Sequence, residues 1–461
     1  MIEFFPLSVQ TRKIINIAAL LDSGSWSPYQ KLLTAIVALA VVFDGFDIQI
    51  LGFAIPSLMR EWNVPRSDFG PILALGLAGM VLGSAAGGWS GDRFGRRITI
   101  IACVLAFGVA TVATAFVHGF WGLSIFRVIT GMGTGGLLPN VSALTAELSP
   151  LRRRPAAVAL TLVCIPLGGM LGGALASRIL PGIGWRGLYL VGGALPALFA
   201  IVLWMAMPES PRFLARHAAE WPQLARLLRR MGHDVPEDAA FQDLAEPSGA
   251  KRASVAALFG PKLARDTIGL WIAFFSSLAY IYLIFGWLPA MLAAQGLDVA
   301  TASAGLAIFN LGGIFGVVAW AVLVPILGSR GPLLSGTLAC AGSALALLTV
   351  PIESRGDHNL LLTCLAINGL LAHAVQTSMY GLAAYVYPTS IRATGVAYAA
   401  LLGRSGGLLT SLTGYYFIQV GSNAYWKALA VSMVLAFLGL AWVRSHYPAM
   451  GAAAKTVGET R

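Results

Sequence analysis

Charge is what this 461-residue chain has least of. Asp, Glu, Lys and Arg make up 11% of it, while 57% is hydrophobic. A soluble domain carries about 25% charged residues, so a water-soluble globule is excluded. Acids are scarcer than bases, 20 against 31. Cysteine is rare too: Cys103, Cys164, Cys340 and Cys364 all fall in apolar stretches, at spacings that suit neither a metal site nor a disulfide framework. No Gly-Lys-Ser/Thr phosphate loop occurs, and no His/Glu metal signature. ATP-driven pumping is therefore not expected, nor is a metal, any other cofactor or a catalytic residue. The start, "MIEFFPLSVQTRKIINIAALLD", lacks a charged region leading an apolar core to a small-residue cleavage site. No cleavable signal peptide is expected, and the first membrane helix acts as the targeting signal.

What the chain has instead is apolar blocks of about 20 residues, the length a helix needs to cross hydrocarbon. Twelve spans are predicted, roughly 32–56, 68–90, 98–117, 120–146, 156–180, 187–207, 267–294, 301–327, 332–350, 359–386, 394–419 and 425–443. The fold class is an all-α polytopic membrane protein of two six-helix bundles, residues 1–208 and 266–461. A polar segment, 209–265, reads as a solvated linker with one or two surface helices. With both termini cytoplasmic, the loops on the opposite, outer side of the membrane hold only Arg60, Arg66, Arg178, Arg186, Arg355 and Lys427. Arg127 and Arg404 lie within spans, and the other 23 bases face the cytoplasm, as the positive-inside rule requires. The net charge of +11 thus orients the chain in a lipid bilayer beside an anionic leaflet, and nucleic acid is not an expected partner.

The halves carry a faint repeat. "GDRFGRR" (91–97) follows span 2 and "VPILGSR" (324–330) follows span 8. A shift of 233 residues sets Gly95 on Gly328 and Arg97 on Arg330. Two related bundles with a site between them near the midplane are expected.

Within "VVFDGFDIQILGFAIP", Asp44 and Asp47 are the only acids well inside a span. Three residues apart, they project about 60° apart on a helix and can face one cavity. Ionisation there is opposed by desolvation and by the like neighbour, so the pair suits taking up and releasing a proton. The alternative is a structural pair bound to Arg or to backbone amides. Arg127, in "FRVITGMGTGGLLPN", needs a carboxylate or an anionic ligand, and reads either as a permanent internal salt bridge or as a substrate or proton-coupling group. Arg404, in "LLGRSGG", has the same capacity to take a substrate carboxylate through two parallel bonds, or it snorkels or packs helices. Asp92, with Arg93, Gly95, Arg96 and Arg97 in the short loop and Glu147 at the end of span 4, suggests an electrostatic latch that breaks as the bundles rock. The alternative is that its arginines only fix topology.

Span 7 offers Tyr280, Tyr282, Trp287 and Pro289; span 8 offers Asn310. On span 10, His373, Gln376 and Tyr380 share a helix face. Aromatic walls beside hydrogen-bonding groups suit a planar aromatic ligand, though ordinary helix packing accounts for any single aromatic, and His373 reads either as a ligand contact or as a satisfied helix–helix hydrogen bond. The dense small residues of "GLAGMVLGSAAGG", "GGMLGGALAS" and "LGGIFG" read as close helix contacts.

Taken together, "DGFDIQILGFAIPSL", "GDRFGRR", "FRVITGMGTGGLLPNVSALTAELSPLRRR", "MPESPRFL" and "YPTSIRATGVAYAALLGRSGG" resemble the major facilitator superfamily and, within it, the aromatic acid:proton symporter family. The resemblance covers nearly the whole chain. It implies that Asp44 and Asp47 serve proton-coupled uptake, that Asp92 serves conformational exchange and that Arg127 is the span 4 arginine of proton coupling. It also implies a benzoate-like substrate: hydroxybenzoate, protocatechuate, vanillate or a similar plant-derived acid. The chain departs from the pattern at His373, where a smaller residue is expected, and in the degraded second loop. The expectation is a monomeric importer in a bacterial cytoplasmic (inner) membrane. It couples an aromatic acid to protons, with Arg127, Tyr282, Trp287, Asn310, His373, Gln376, Tyr380 and Arg404 as candidate substrate contacts. A sugar or polyol porter and a non-transporting sensor of aromatic acids are the alternatives.

Overall fold

The structure is a computed structural model and describes residues 14–236, 239–243, 255–261, 263–352, 358–388 and 391–449. Both tails used in the orientation count (1–13 and 450–461), Arg355 and residues 244–254 of the linker lie outside the described residues.

Among the described residues, fifteen α-helices run in chain order: α1 Ile17–Ser23, α2 Pro28–Trp62, α3 Phe69–Phe94, α4 Arg96–Thr114, α5 Phe120–Leu148, α6 Arg154–Ile179, α7 Gly184–Ala206, α8 Pro211–Ala215, α9 Trp221–Arg230, α10 Ala264–Ala294, α11 Val299–Leu327, α12 Arg330–Ala346, α13 Asn359–Val386, α14 Arg392–Val420 and α15 Ser422–Trp442. The twelve long ones match the twelve predicted spans to within a few residues at each end, except at α2, which runs further at both ends. Nine of them, among the described residues, are long and apolar enough to cross a membrane. The remaining three are α12, with 17 residues, and the helices that hold Arg127 and Arg404, α5 and α14. Local chemistry sets the ends. Ser27 and Gln30 close a capping box at the start of α2, and Asp298 accepts from the amides of Ala300 and Thr301 at the start of α11.

The two halves pack by the same plan. In the first, α3 packs on α5, α2 on α6, α4 on α7 and on α5, and α2 on α7; in the second, α11 packs on α13, α10 on α14, α12 on α15 and on α13, and α10 on α15. Glycine makes the first pairing close in both. A methyl on Gly83, Gly131 or Gly135 would collide with backbone across the α3–α5 contact, and one on Gly312, Gly316 or Gly369 would do so across α11–α13. The turn positions correspond as well: Gly95 and Gly328 both end a helix at positive φ, +96° and +78°.

The halves meet through α2 on α10, α6 on α11 and α3 on α14. One apolar core, from Phe46 to Ala436, draws on both halves. It lies toward the end away from the linker. At the linker end the cores are separate: one is built only from residues 17–241 and the other only from residues 258–443. The molecule is therefore joined at the far end and divided at the linker end.

The linker differs from the solvated segment expected. Leu224, Ala225, Leu227 and Leu228 of α9 are buried, with Phe241, in the core of the first half. A two-stranded parallel sheet, absent from the sequence reading, pairs β1 (Ile14–Asn16) with β2 (Ala240–Gln242). It ties the linker back to the start of the same half.

Candidate functional site between the two halves

Asp44 and Asp47 lie near the middle of α2, 2% and 3% exposed. They turn to different neighbours. Asp47 Oδ1 accepts from Thr111 Oγ1 of α4 at 2.5 Å, and Oδ2 is 3.8 Å from Arg127 Nη1 of α5. The same nitrogen donates to the Asp47 backbone carbonyl at 3.3 Å. Gly76 of α3 lies beside the guanidinium, where an added methyl would make ordinary contact, 3.5 Å from Arg127 Nε. Arg127 is thus engaged internally. Asp44 lies within electrostatic reach of Arg404 of α14 in the second half and of Cys103 of α4 in its own. Its Oδ1 is buried and has no hydrogen-bond partner among the described residues.

Arg404 is anchored across the halves. Its Nη1 donates to Ser84 Oγ of α3 at 2.9 Å, and Ser84 in turn donates to the carbonyl of Gly135 at 2.9 Å. Tyr282 and Tyr380 lie within the electrostatic reach of Arg404. The Tyr282 hydroxyl approaches Met80 Sδ at 3.7 Å. Asp44, Arg404, Tyr282 and Tyr380 therefore form one neighbourhood between α2, α10, α13 and α14.

A second crossing is an amide clasp. Asn310 Nδ2 donates to Gln49 Oε1 at 2.7 Å, and Gln49 Nε2 returns a bond to Asn310 Oδ1 at 3.3 Å. Gly169 of α6 lies against both amides, where a methyl would collide. A reciprocal amide pair leaves few buried polar groups unmet and so joins the halves inside an apolar contact.

On α13, Gln376 accepts from Ser277 Oγ at 2.5 Å, and Tyr380 stands edge-on to Phe274, 5.1 Å between ring centres. His373 sits between Phe285 and Phe309, at 6.0 and 5.1 Å. Trp287 lies apart from these groups, fully buried in the far-end core against Gly414. Tyr280 likewise serves packing, donating to Asn368.

The predicted latch residues form a network at the linker end. Arg96 binds Asp92 at 2.7 Å and Asn140 Oδ1 at 3.2 Å, and its Nε lies 3.9 Å from Glu147. Glu147 accepts from Ser210 Oγ. Asp92 thus pairs with an arginine, and the capping falls to another acid: Glu209 Oε1 accepts from the Arg97 amide at 3.1 Å and the Ser210 amide at 2.8 Å. Burial pushes the Glu209 carboxyl above its ordinary value, and the amides of Ser210, Arg97 and Arg96 offset this in part. Arg97 donates to the Trp204 carbonyl and stacks on that ring at 5.1 Å. Arg93 leaves the network and stacks on Trp89 and Phe94.

Several participants escaped the sequence reading. Gln49 carried a signal, as the one amide of the span that holds the acid pair. Glu209 and Ser210 lay in "MPESPRFL", whose link to Arg97 spans 112 residues. Thr111 and Ser84 had none, being ordinary small polar residues in apolar helices.

The arrangement agrees with comparisons to known proteins. A model described as Major Facilitator Superfamily matches residues 37–356. The gallate transporter of Pseudomonas putida is 32% identical over 428 residues, covering 92% of this chain and 92% of its own. The 4-hydroxybenzoate transporter PcaK of Acinetobacter baylyi is 31% identical over 418 residues, covering 89% of this chain and 90% of its own. The xylose transporter XylE from E. coli, in an inward open conformation, aligns with a TM-score of 0.71 at 18% identity, over 92% of this chain and 99% of XylE. At that identity the likeness speaks for the fold alone. With two halves of one plan and these matches over most of its length, the chain is a multi-pass membrane protein that belongs to the major facilitator superfamily, a family of transporters and not of enzymes.

Proposed function

We propose that the protein imports an aromatic carboxylate with protons across the cytoplasmic membrane by alternating access. The observation that carries this reading is the buried acid pair beside two arginines. Asp47 is held by Arg127, while Asp44 keeps a carboxylate oxygen without a partner and looks across to Arg404. A buried carboxylate is tolerated when it is paired or protonated, so Asp44 is the group to take the proton and Asp47 the one to tune it. Arg404 then offers its forked donors to the substrate carboxylate, with Tyr282 and Tyr380 alongside. Coupling has a driving reason: an inside-negative potential opposes an anion by about 2.3 kcal/mol per charge per 100 mV, and a co-transported proton cancels that charge. Relatives named for gallate and 4-hydroxybenzoate support the substrate class.

With the basic linker end cytoplasmic, both termini lie inside, and the end where the two cores are separate faces the cytoplasm, where substrate would leave. The chain acts as a monomer, because the substrate groups all come from its own two halves. Uptake of labelled aromatic acids by cells, with and without a protonophore, tests this. Saturable uptake that the protonophore collapses is expected. No uptake of any aromatic acid would overturn the substrate class, and uptake indifferent to the protonophore would overturn the coupling.

A further inference from the structure

His373 stands at the middle of α13 and is 6% exposed. Its Nδ1 lies 3.1 Å from the Gly369 carbonyl. A carbonyl oxygen only accepts, so Nδ1 carries the proton, and in the neutral ring Nε2 is an acceptor. That Nε2 is buried and has no partner among the described residues. The rings of Phe285 and Phe309 lie beside the imidazole, tilted to it by 39° and 55°. Gly313 lies against it, where a methyl would come within 2.5 Å of Nδ1, so the fold makes room for an imidazole here. Phe309 precedes Asn310, which clasps Gln49 of the other half, and this puts the ring beside the plane where the halves meet.

One turn further along the same face, Gln376 uses Oε1 for Ser277 and turns its amide nitrogen toward the Tyr380 hydroxyl. The lone acceptor on His373 therefore complements a group that can donate. A phenolic hydroxyl is such a group, and a carboxylate is not, because it only accepts. Seven residues, about 10 Å of helix, separate His373 from Tyr380 beside Arg404. A benzene ring with a hydrogen bond at each end bridges a distance of that order.

We infer that His373 reads a ring hydroxyl, so that the carrier prefers hydroxylated aromatic acids to unsubstituted ones. The inference rests on the aromatic-carboxylate reading above. The hydroxyl must donate, which sets phenols apart from their methyl ethers. A site that hydrogen-bonds a hydroxyl rejects the analogue lacking it, because its own polar group is then left unmet.

The test is competitive uptake of 4-hydroxybenzoate, 3-hydroxybenzoate, benzoate and 4-methoxybenzoate by the wild type, His373→Leu and His373→Gln. Thermal unfolding of each purified protein with the same acids is measured in parallel. The wild type is expected to show half-saturation about tenfold lower for at least one hydroxybenzoate than for benzoate or the ether. His373→Leu is expected to compress that ratio to near one, and His373→Gln, which keeps an acceptor, to restore part of it. Equal half-saturation for all four acids in the wild type, or a ratio that His373→Leu preserves, overturns the inference and leaves aromatic acid transport standing. If no acid is taken up or shifts the unfolding of the wild type, the aromatic-carboxylate reading falls and the inference with it. Should His373→Leu reach the membrane without transporting, its ligand-induced unfolding shifts decide the ratio.

Discussion

A single nitrogen of Arg127 reaches Asp47 twice, lying 3.8 Å from carboxylate Oδ2 and 3.3 Å from the backbone carbonyl of the same residue. The bond to the carbonyl survives if the carboxyl changes charge, and the ion pair does not. Arg127 is therefore tied to α2 by one contact that does not depend on the charge of the Asp47 carboxyl.

This separates the two acids by experiment. Asp47→Asn leaves Arg127 as an unpaired buried cation, and removing one partner of a buried pair costs roughly 3–5 kcal/mol. Its unfolding temperature in detergent should fall well below that of the wild type, and uptake should be lost. Asp44→Asn removes no ion pair and should leave the unfolding temperature near or above the wild type. It should abolish protonophore-sensitive accumulation while exchange of labelled for unlabelled substrate persists. Wild-type accumulation in both variants would refute the proposed roles.

Arg404 is exchangeable in charge but not in shape. Lysine keeps the cation and loses the planar fork. Arg404→Lys should raise the half-saturation constant for the carboxylate by about tenfold, consistent with a lost charge-assisted bond of 1.5–3 kcal/mol. Uptake kinetics check this, and an unchanged constant would place the substrate carboxylate elsewhere.

The Gln49–Asn310 clasp predicts a coupling. Each of Gln49→Leu and Asn310→Leu strands an amide, whereas the double variant strands none. A double-mutant cycle on unfolding should return a coupling of about 1 kcal/mol, the pair together being milder than the sum. Additive effects would mean that the two amides act independently.

Glu209 predicts a pH dependence. Burial raises its carboxyl above the ordinary value of 4.5. The folded state then holds the proton more tightly than the unfolded one, so this group's contribution to stability declines as pH climbs above 4.5, until the folded group itself has ionised. Glu209→Gln should remove that decline from a series of unfolding temperatures against pH. A slope identical in the two proteins would exclude Glu209 as its source.

Much of the layout was legible because hydrocarbon is an exacting solvent. Apolar runs such as 359–386 must be helices of bilayer length, and the α13 boundaries follow directly. Asp44 and Asp47 stood out because nothing else acidic lies at that depth. What stayed hidden was pairing over distance. Gln49 and Asn310 are 261 residues apart, and each alone is an unremarkable amide. The partner of Arg127 was one of two open readings until α5 was placed on α2. Strand β1 pairs with β2 across more than 220 residues, and a three-residue strand leaves no period to detect. The burial of α9 was missed because its charged face dominates a ten-residue stretch.

That small sheet alters the mechanics of the joint between the halves. The linker is fastened to the first half as far as Asp243, and the second half takes hold at Val255, where the Leu258 carbonyl accepts from Thr267 Oγ1 at 2.9 Å. Each half thus holds its own stretch of the linker in place.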